Sequence, residues 1–174
     1  ARQHLRSDPV DSTVPLIYPA HFESGFVRWP KHGKKPNAIV HTAETANLLV
    51  PSSRYVLVKR FSAKEERRRI VAAVYDDARL PPFDAVGFEN HLNYFHRNGG
   101  GLEADLSRGL AAFLNSSRVD QFFRQFSGHT QVNAKDLRKL RYPALTTLRE
   151  LGSRIDAVFP AQSDLDYVIE QVLA

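Results

Sequence analysis

The sequence predicts a mixed α/β fold, with a strand-rich first half built from antiparallel hairpins and a helical second half. Two observations lead to this prediction. β-branched and aromatic residues dominate 55–61 and 69–75, and such runs are typical of strands. From residue 102 onward, leucine and phenylalanine instead recur every three or four positions, the spacing of an amphipathic helix. The 174 residues can bury a substantial core, and we expect a single unit over 1–174.

Short strands are expected early in the chain, at 14–18, 26–29, 37–41 and 47–50. Prolines interrupt or bound these segments, which favours edge strands and loops because proline has no N–H to donate. The strongest strand patterns are "YVLVKRF" (55–61) and "RIVAAVY" (69–75). Between them Ser62 and Glu65 match a capping box, which predicts one helical turn. Residues 85–95 alternate in polarity and predict a further single strand.

Four helices are expected in the second half. The first follows the glycines at 99–101, and the second should begin at Ser117 and stop at Gly128. The third is expected between Pro143 and Gly152, and Ser163 should cap the last. The buried stripe predicted for the second helix consists of Val119, Phe122, Phe123 and Phe126.

The composition excludes several classes of protein. The chain has no cysteine, which excludes disulfides and thiolate metal sites and agrees with a cytoplasmic location. No apolar run approaches the ~18 residues of a membrane span, so no membrane association is expected. Methionine is also absent, even at position 1, and we therefore expect the chain to be part of a longer polypeptide.

Positive charge is concentrated in two segments of this basic chain, whose formal net charge is +5. Residues 24–75 contain eleven Lys and Arg against three acidic residues, and 118–154 contain eight against three. Two such blocks favour a face that binds a polyanion. The alternative is a solvated basic surface with no partner.

The sequence specifies no catalytic residue, cofactor-binding residue or metal ligand. The "GGG" at 99–101 lacks the G-x-G-x-x-G pattern of a dinucleotide site, and no G-x-S-x-G is present to seed a nucleophile. No acidic residue has a lysine two positions later, as metal-dependent nucleases commonly require. His91 and His96 lie five apart, which on a strand turns them to opposite faces and disfavours a shared metal.

Binding of nucleic acid is the function that the remaining polar residues favour. Cationic side chains make phosphate contacts, whereas amide, hydroxyl and imidazole groups can read base edges. The expected phosphate contacts are Lys59, Arg60, Lys64, Arg67, Arg68, Lys135, Arg138 and Lys139, and the candidates for base readout are Gln131, Asn133, His129, Thr130, His91 and Asn93. Alternatively, these polar side chains only hold loops to the backbone.

Five stretches of the chain also resemble one family. The stretches are "VPLIYPAHF", "GFVRWPKHGKKPNAI", "YVLVKRFSAKEERRRIVAAV", "GFENHLNYFH" and "GLAAFLNSSRVDQFFRQFSGHTQVNAKDLRKLRYP". Across about 14–152 the chain resembles the C-terminal target-recognition half of adenine-specific DNA methyltransferases from bacterial restriction–modification systems. Residues 153–174 are then expected to form a helical appendage.

The resemblance implies a division of labour. In that family an N-terminal Rossmann-like domain binds S-adenosylmethionine and carries a polar residue followed by Pro-Pro-aromatic. "LPPF" (80–83) does not supply this motif, because Leu80 has no side-chain acceptor. The chain is thus expected to bind no cofactor and to be catalytically silent alone. Its implied partners are double-stranded DNA and the catalytic domain of the same polypeptide, in the bacterial cytoplasm.

Two other functions stay open at this stage. A module for RNA or single strands would use the same basic blocks, with Trp29, Tyr94 and Phe95 as stacking surfaces. A protein-interaction domain of a defence complex would use exposed aromatic residues, and its charge would be incidental.

Overall fold

The computed structural model describes residues 2–174 and confirms the mixed α/β fold. Within these residues ten strands form two five-stranded sheets, and five α-helices follow. The strands are β1 (Leu5–Arg6), β2 (Thr13–Ile17), β3 (Phe22–Glu23), β4 (Phe26–Val27), β5 (Ala38–Val40), β6 (Leu49–Pro51), β7 (Arg54–Lys59), β8 (Ala72–Asp76), β9 (Ala85–Phe88) and β10 (Leu92–Phe95). The helices are α1 (Ala104–Leu114), α2 (Ser117–Phe126), α3 (Ala134–Leu137), α4 (Leu145–Ser153) and α5 (Gln162–Leu173).

The elements stack in three layers. The first sheet has the order β1-β5-β2-β9-β6 and the second has the order β10-β7-β8-β4-β3. Alternating residues of β7 point to opposite sides, as strand geometry requires. Tyr55 and Leu57 pack towards the first sheet beside Ile17, whereas Val56 and Val58 pack under the helices. The central strands β7 and β8 of the second sheet are therefore buried on both faces.

Strand β2 lies inside the first sheet, although its Pro15 suggested an edge. It pairs antiparallel with β5 through residues 13–15 and parallel with β9 only from Leu16 onward. Leu16 donates its N–H to Asn37 on the β5 side, so the nitrogen of Pro15 points the other way. The missing N–H thus falls where pairing with β9 has not begun, and the proline is tolerated.

The hairpin of β7 and β8 confirms the two strongest strand predictions. The strands pair antiparallel from Arg54 opposite Asp76 to Val58 opposite Ala72. Their connection forms turns rather than the expected helical turn. The Ser62 hydroxyl is buried and donates to the Arg69 carbonyl, and it is Glu66, not Glu65, that accepts a backbone N–H at Ala63.

The segment 85–95 is two strands in two sheets, so the prediction of one strand is wrong. β9 pairs with β2 and β6, while β10 pairs with β7. A turn at Glu89–His91 separates them, and the Glu89 carboxylate accepts the N–H of His91. The alternation nevertheless holds through the turn, because Val86 and Leu92 are buried in the same cluster between the sheets.

The first and third predicted helices are confirmed as α1 and α4, which cross at two glycines. A Cβ on Gly109 would overlap the Leu148 carbonyl, and one on Gly152 would overlap the Asp105 carbonyl. Gly152 therefore lies inside α4 and permits close packing rather than ending the helix. The prediction that Ser163 caps the last helix is wrong, because Ala161 is the N-cap of α5 and Ser163 lies inside the helix. Leu165 of α5 is buried in the cluster that contains α1 and α4.

Helix α2 differs from its prediction at both ends and on one face. Ser116, not Ser117, caps it by accepting the N–H of Val119, and the helix ends at Phe126. Val119 and Phe123 are buried, but Phe122 and Phe126 are 40% and 37% exposed. Only one side of α2 meets the core, which leaves half of the predicted aromatic stripe at the surface.

Candidate nucleic-acid interface

Three polar segments that are far apart in sequence meet beyond the end of β7. We call this surface the polar ribbon and define it as residues 60–62, 89–93 and 129–133. The N–H of Arg60 donates to the His91 carbonyl at 2.8 Å, and the N–H of Val132 donates to the Arg60 carbonyl at 2.6 Å. Phe61 and Gln131 form an antiparallel bridge. The backbone thus brings all six predicted base readers into one place.

Part of the ribbon is free to face a partner. The side chains of His129, Thr130, Gln131 and His91 are exposed. Phe61 is 40% exposed, although it is apolar and lies between these polar residues. Backbone pairing fixes the ribbon while these side chains point outward, an arrangement suited to recognition.

Other predicted readers hold the ribbon together. The Asn93 side chain donates to the Val132 carbonyl at 2.8 Å. Asn133 is the N-cap of α3, a one-turn helix absent from the prediction, and Asp136 Oδ2 accepts the Asn133 N–H at 3.0 Å. The exposed His91 side chain is also oriented from within the ribbon, because its Nδ1 lies 2.6 Å from Glu89 Oε1. The Asn93 side chain therefore has a structural role, whereas Asn133 holds α3 through its backbone.

The sequence-based argument missed Arg69, which ties the ribbon to α2. Its side chain is 1% exposed. The guanidinium donates to Ser62 Oγ at 3.1 Å and to the His129 carbonyl, and it lies 5.3 Å from the Phe123 ring centre. Burial lowers its pKa. Three consecutive arginines precede the apolar residues here, and nothing in the sequence distinguishes the buried Arg69 from the exposed Arg67.

The eight predicted phosphate-binding cations fall into two groups. The exposed ones are Lys64, Arg67, Lys135, Arg138 and Lys139. The others are engaged: Lys59 lies 3.6 Å from Glu66, Arg60 donates to the Asn90 carbonyl, and Arg68 donates to the Asn115 carbonyl at 2.7 Å. Burial lowers the pKa of Arg68. Arg67 and Arg68 border a cavity with Asn115 and Gln162, separate from the ribbon.

A basic loop at 30–36 is anchored by a buried asparagine that the sequence did not single out. Asn37 accepts from the Lys31 N–H at 2.9 Å and donates to the Ser7 carbonyl at 2.9 Å. Its side-chain oxygen lies 2.8 Å from His21 Nε2, and its carbonyl accepts from Trp29 Nε1. Burial lowers the pKa of His21. The exposed cations of this loop, Lys34 and Lys35, therefore project from a fixed base.

Comparison with known proteins gives two close relatives. The chain is 46% identical over 175 residues to the type II methyltransferase M.PstI of Providencia stuartii. It is 44% identical over 176 residues to the type II methyltransferase M.BsuBI of Bacillus subtilis. Each match covers 99% of the chain. The chain is homologous to a part of type II methyltransferases. No protein-family model and no solved structure matches it.

The likeness to bacterial methyltransferases expected from the sequence is thereby confirmed. The chain spans about a third of its relatives, 34% of the length of each. Across residues 2–174 no three His, Cys, Asp or Glu side chains cluster as a metal ion would require. No helix in the same range is long and apolar enough to cross a bilayer.

Proposed function

We propose that this methyltransferase relative recognises a specific sequence in double-stranded DNA. The observation that supports this most is the polar ribbon, where exposed side chains with donors and acceptors project from a backbone fixed by Arg69. Because the backbone is already ordered, less conformational entropy is lost when these side chains bind base edges. The match of nearly the whole chain to about a third of two type II methyltransferases supports the same proposal.

Within a restriction–modification system, the chain would provide target recognition for an adenine-specific methyltransferase that uses S-adenosylmethionine. Cofactor binding and methyl transfer would belong to the catalytic domain of the same polypeptide, which would also be its partner. The whole enzyme would work in the bacterial cytoplasm. We propose that residues 1–174 form one unit, with a core at about 14–152 and an appendage at 153–174.

We assign different roles to the predicted residues. Gln131 is the first candidate for base readout, followed by His91, His129 and Thr130, because these side chains are exposed. The five exposed cations named above would contact phosphates and supply affinity without sequence information. Lys59, Arg60 and Arg68 would contribute mainly to the local field, since each already has a partner in the protein.

A module for RNA or single strands is less well supported. Trp29 is only 9% exposed and donates to the Asn37 carbonyl, so its ring is not available for stacking. Phe95 packs against the helical core. Of the three expected stacking residues, only Tyr94, which is 37% exposed, presents its ring at the surface.

The proposal is tested by selecting bound sequences from a library of random duplexes with the 174-residue chain. One enriched sequence is expected. Fluorescence anisotropy with that duplex, its single strand and an RNA duplex then compares the classes of ligand. Preferential binding of the selected duplex supports the proposal, whereas equal binding of single strands or RNA points to a general module. Binding of none of the three would contradict recognition of nucleic acid.

A further inference from the structure

A small cavity opens beside the exposed ring of Phe61. Its volume is about 200 Å³, and three rings line it together with one cation and one carboxylate: Tyr18, Phe61, His91, Lys35 and Glu89. The ring centres of Phe61 and His91 are 5.2 Å apart. The cavity joins the polar ribbon to the basic loop at 30–36, although residues 18–20 and 35 were not among the predicted site residues.

The size and chemistry of this cavity suit a flat, polar-edged ring. Pockets for drug-sized ligands have about 300–1,000 Å³, so this one is suited to a smaller molecule. Aromatic walls offer stacking, and Lys35 and Arg60 lie close by, with Lys35 Nζ 5.4 Å from the Tyr18 ring centre and the Arg60 guanidinium 5.9 Å from the Phe61 ring centre. These cations favour a ligand that is attached to a phosphate.

We propose that the cavity binds one nucleobase that has left the stack of the bound duplex, with Phe61 as the stacking surface. The inference rests on the proposed function. Enzymes that modify a base draw it out of the helix, and this disturbs the stacking of neighbouring and partner bases. Stacking of a base on an aromatic side chain is tolerant of base identity, because every base has a π-face. The cavity would thus stabilise the distorted DNA without selecting its sequence.

Duplexes with one unpaired extra base test this inference, because the unstacking is then already complete. The extra base is placed at each step of the sequence selected above, and dissociation constants are measured with the 174-residue chain. At one step the bulged duplex should bind more tightly than the paired duplex, by roughly fivefold or more if stacking has its usual strength. Phe61→Ala should abolish this preference, whereas Phe61→Tyr, which keeps an aromatic ring at this position, should keep it.

Phe122→Ala is the matched control, because Phe122 is as exposed as Phe61 but lies on α2 and lines another groove. It should keep the preference. Phe61→Leu keeps apolar volume without a flat ring and should lose the preference while melting like the native chain, which guards against misfolding of the alanine variant. If no step favours a bulge, or if Phe61→Ala keeps the preference while duplex binding is intact, the inference fails alone. If no duplex binds, the proposed function fails with it.

Discussion

Replacing Gln131 with alanine should relax the sequence preference of duplex binding and leave folding intact. The side chain is exposed, and the bridge to Phe61 uses only the backbone, which the substitution keeps. We therefore expect the free energy of unfolding to change by less than about 0.5 kcal/mol. A bidentate amide contact to a base contributes about 1–3 kcal/mol of discrimination. The selected duplex should thus lose roughly fivefold or more of its advantage over one single-base variant.

Asp136→Ala should have the opposite effect. The Asp136 carboxylate accepts the Asn133 N–H at the start of α3, and loss of such a hydrogen bond costs about 1 kcal/mol of stability, so urea unfolding should detect it while the ratio between duplexes stays constant. Anisotropy with the selected duplex and its single-base variants measures the ratio for each protein. Gln121→Ala, at another exposed glutamine, is the control and should change neither quantity. If Gln131→Ala leaves every ratio unchanged, Gln131 is not a reader and His91 becomes the first candidate.

Three further predictions concern charge, pH and packing. Arg138→Ala should reduce the slope of log affinity against log salt by ~0.9 if Arg138 contacts one phosphate. The free energy of unfolding of the native chain should fall as the pH drops from about 7.5 to about 5.5, because buried His21 stays neutral while the unfolded chain takes up a proton. His21→Gln should make this fall smaller. Gly109→Ala should lower the free energy of unfolding by about 1–3 kcal/mol, because the new Cβ would overlap the Leu148 carbonyl and push α1 away from α4.

Each of these predictions has a contradicting result, and those on charge and packing also have a control. Arg149→Ala removes a charge that is paired with Glu103 at 2.8 Å, and a slope change equal to that of Arg138→Ala would make the effect non-specific. Identical pH profiles for native and His21→Gln proteins would show that His21 titrates normally. Gly33 has no atom within 4 Å of an added Cβ, so Gly33→Ala should be neutral, and equal costs at the two glycines would refute the packing argument.

The sequence predicted local features of the fold well where one pattern has one structural outcome. The β-branched and aromatic residues at 55–61 and 69–75 predicted a hairpin, and β7 and β8 form it. Residues 85–95 misled because a single alternation serves two sheets that share a core, so the turn at Glu89–His91 left no break in the pattern. The exposure of Phe122 depends on what lies opposite α2, and periodicity contains no information about that.

The candidate site shows a similar division. Residue type correctly indicated polar loops, and the Asn133-x-x-Asp136 spacing, which predicts a helix cap, was available in the sequence. The pairing of Phe61 with Gln131 spans 70 positions and depends on the whole fold, so no local pattern predicts it. For the same reason the inward turn of Arg69 and the cavity beside Phe61 needed the structure.

The central claim is that this chain distinguishes one DNA sequence from others, and a comparison of two duplexes tests it most directly. The dissociation constant of the 174-residue chain is measured for the selected duplex and for a shuffled duplex of equal length and composition, over a series of salt concentrations. Both affinities should fall with salt, because phosphate contacts serve both, while the selected duplex stays tighter throughout, approaching the ~10³-fold or greater preference of specific DNA-binding proteins. Equal dissociation constants at every salt concentration would contradict the account.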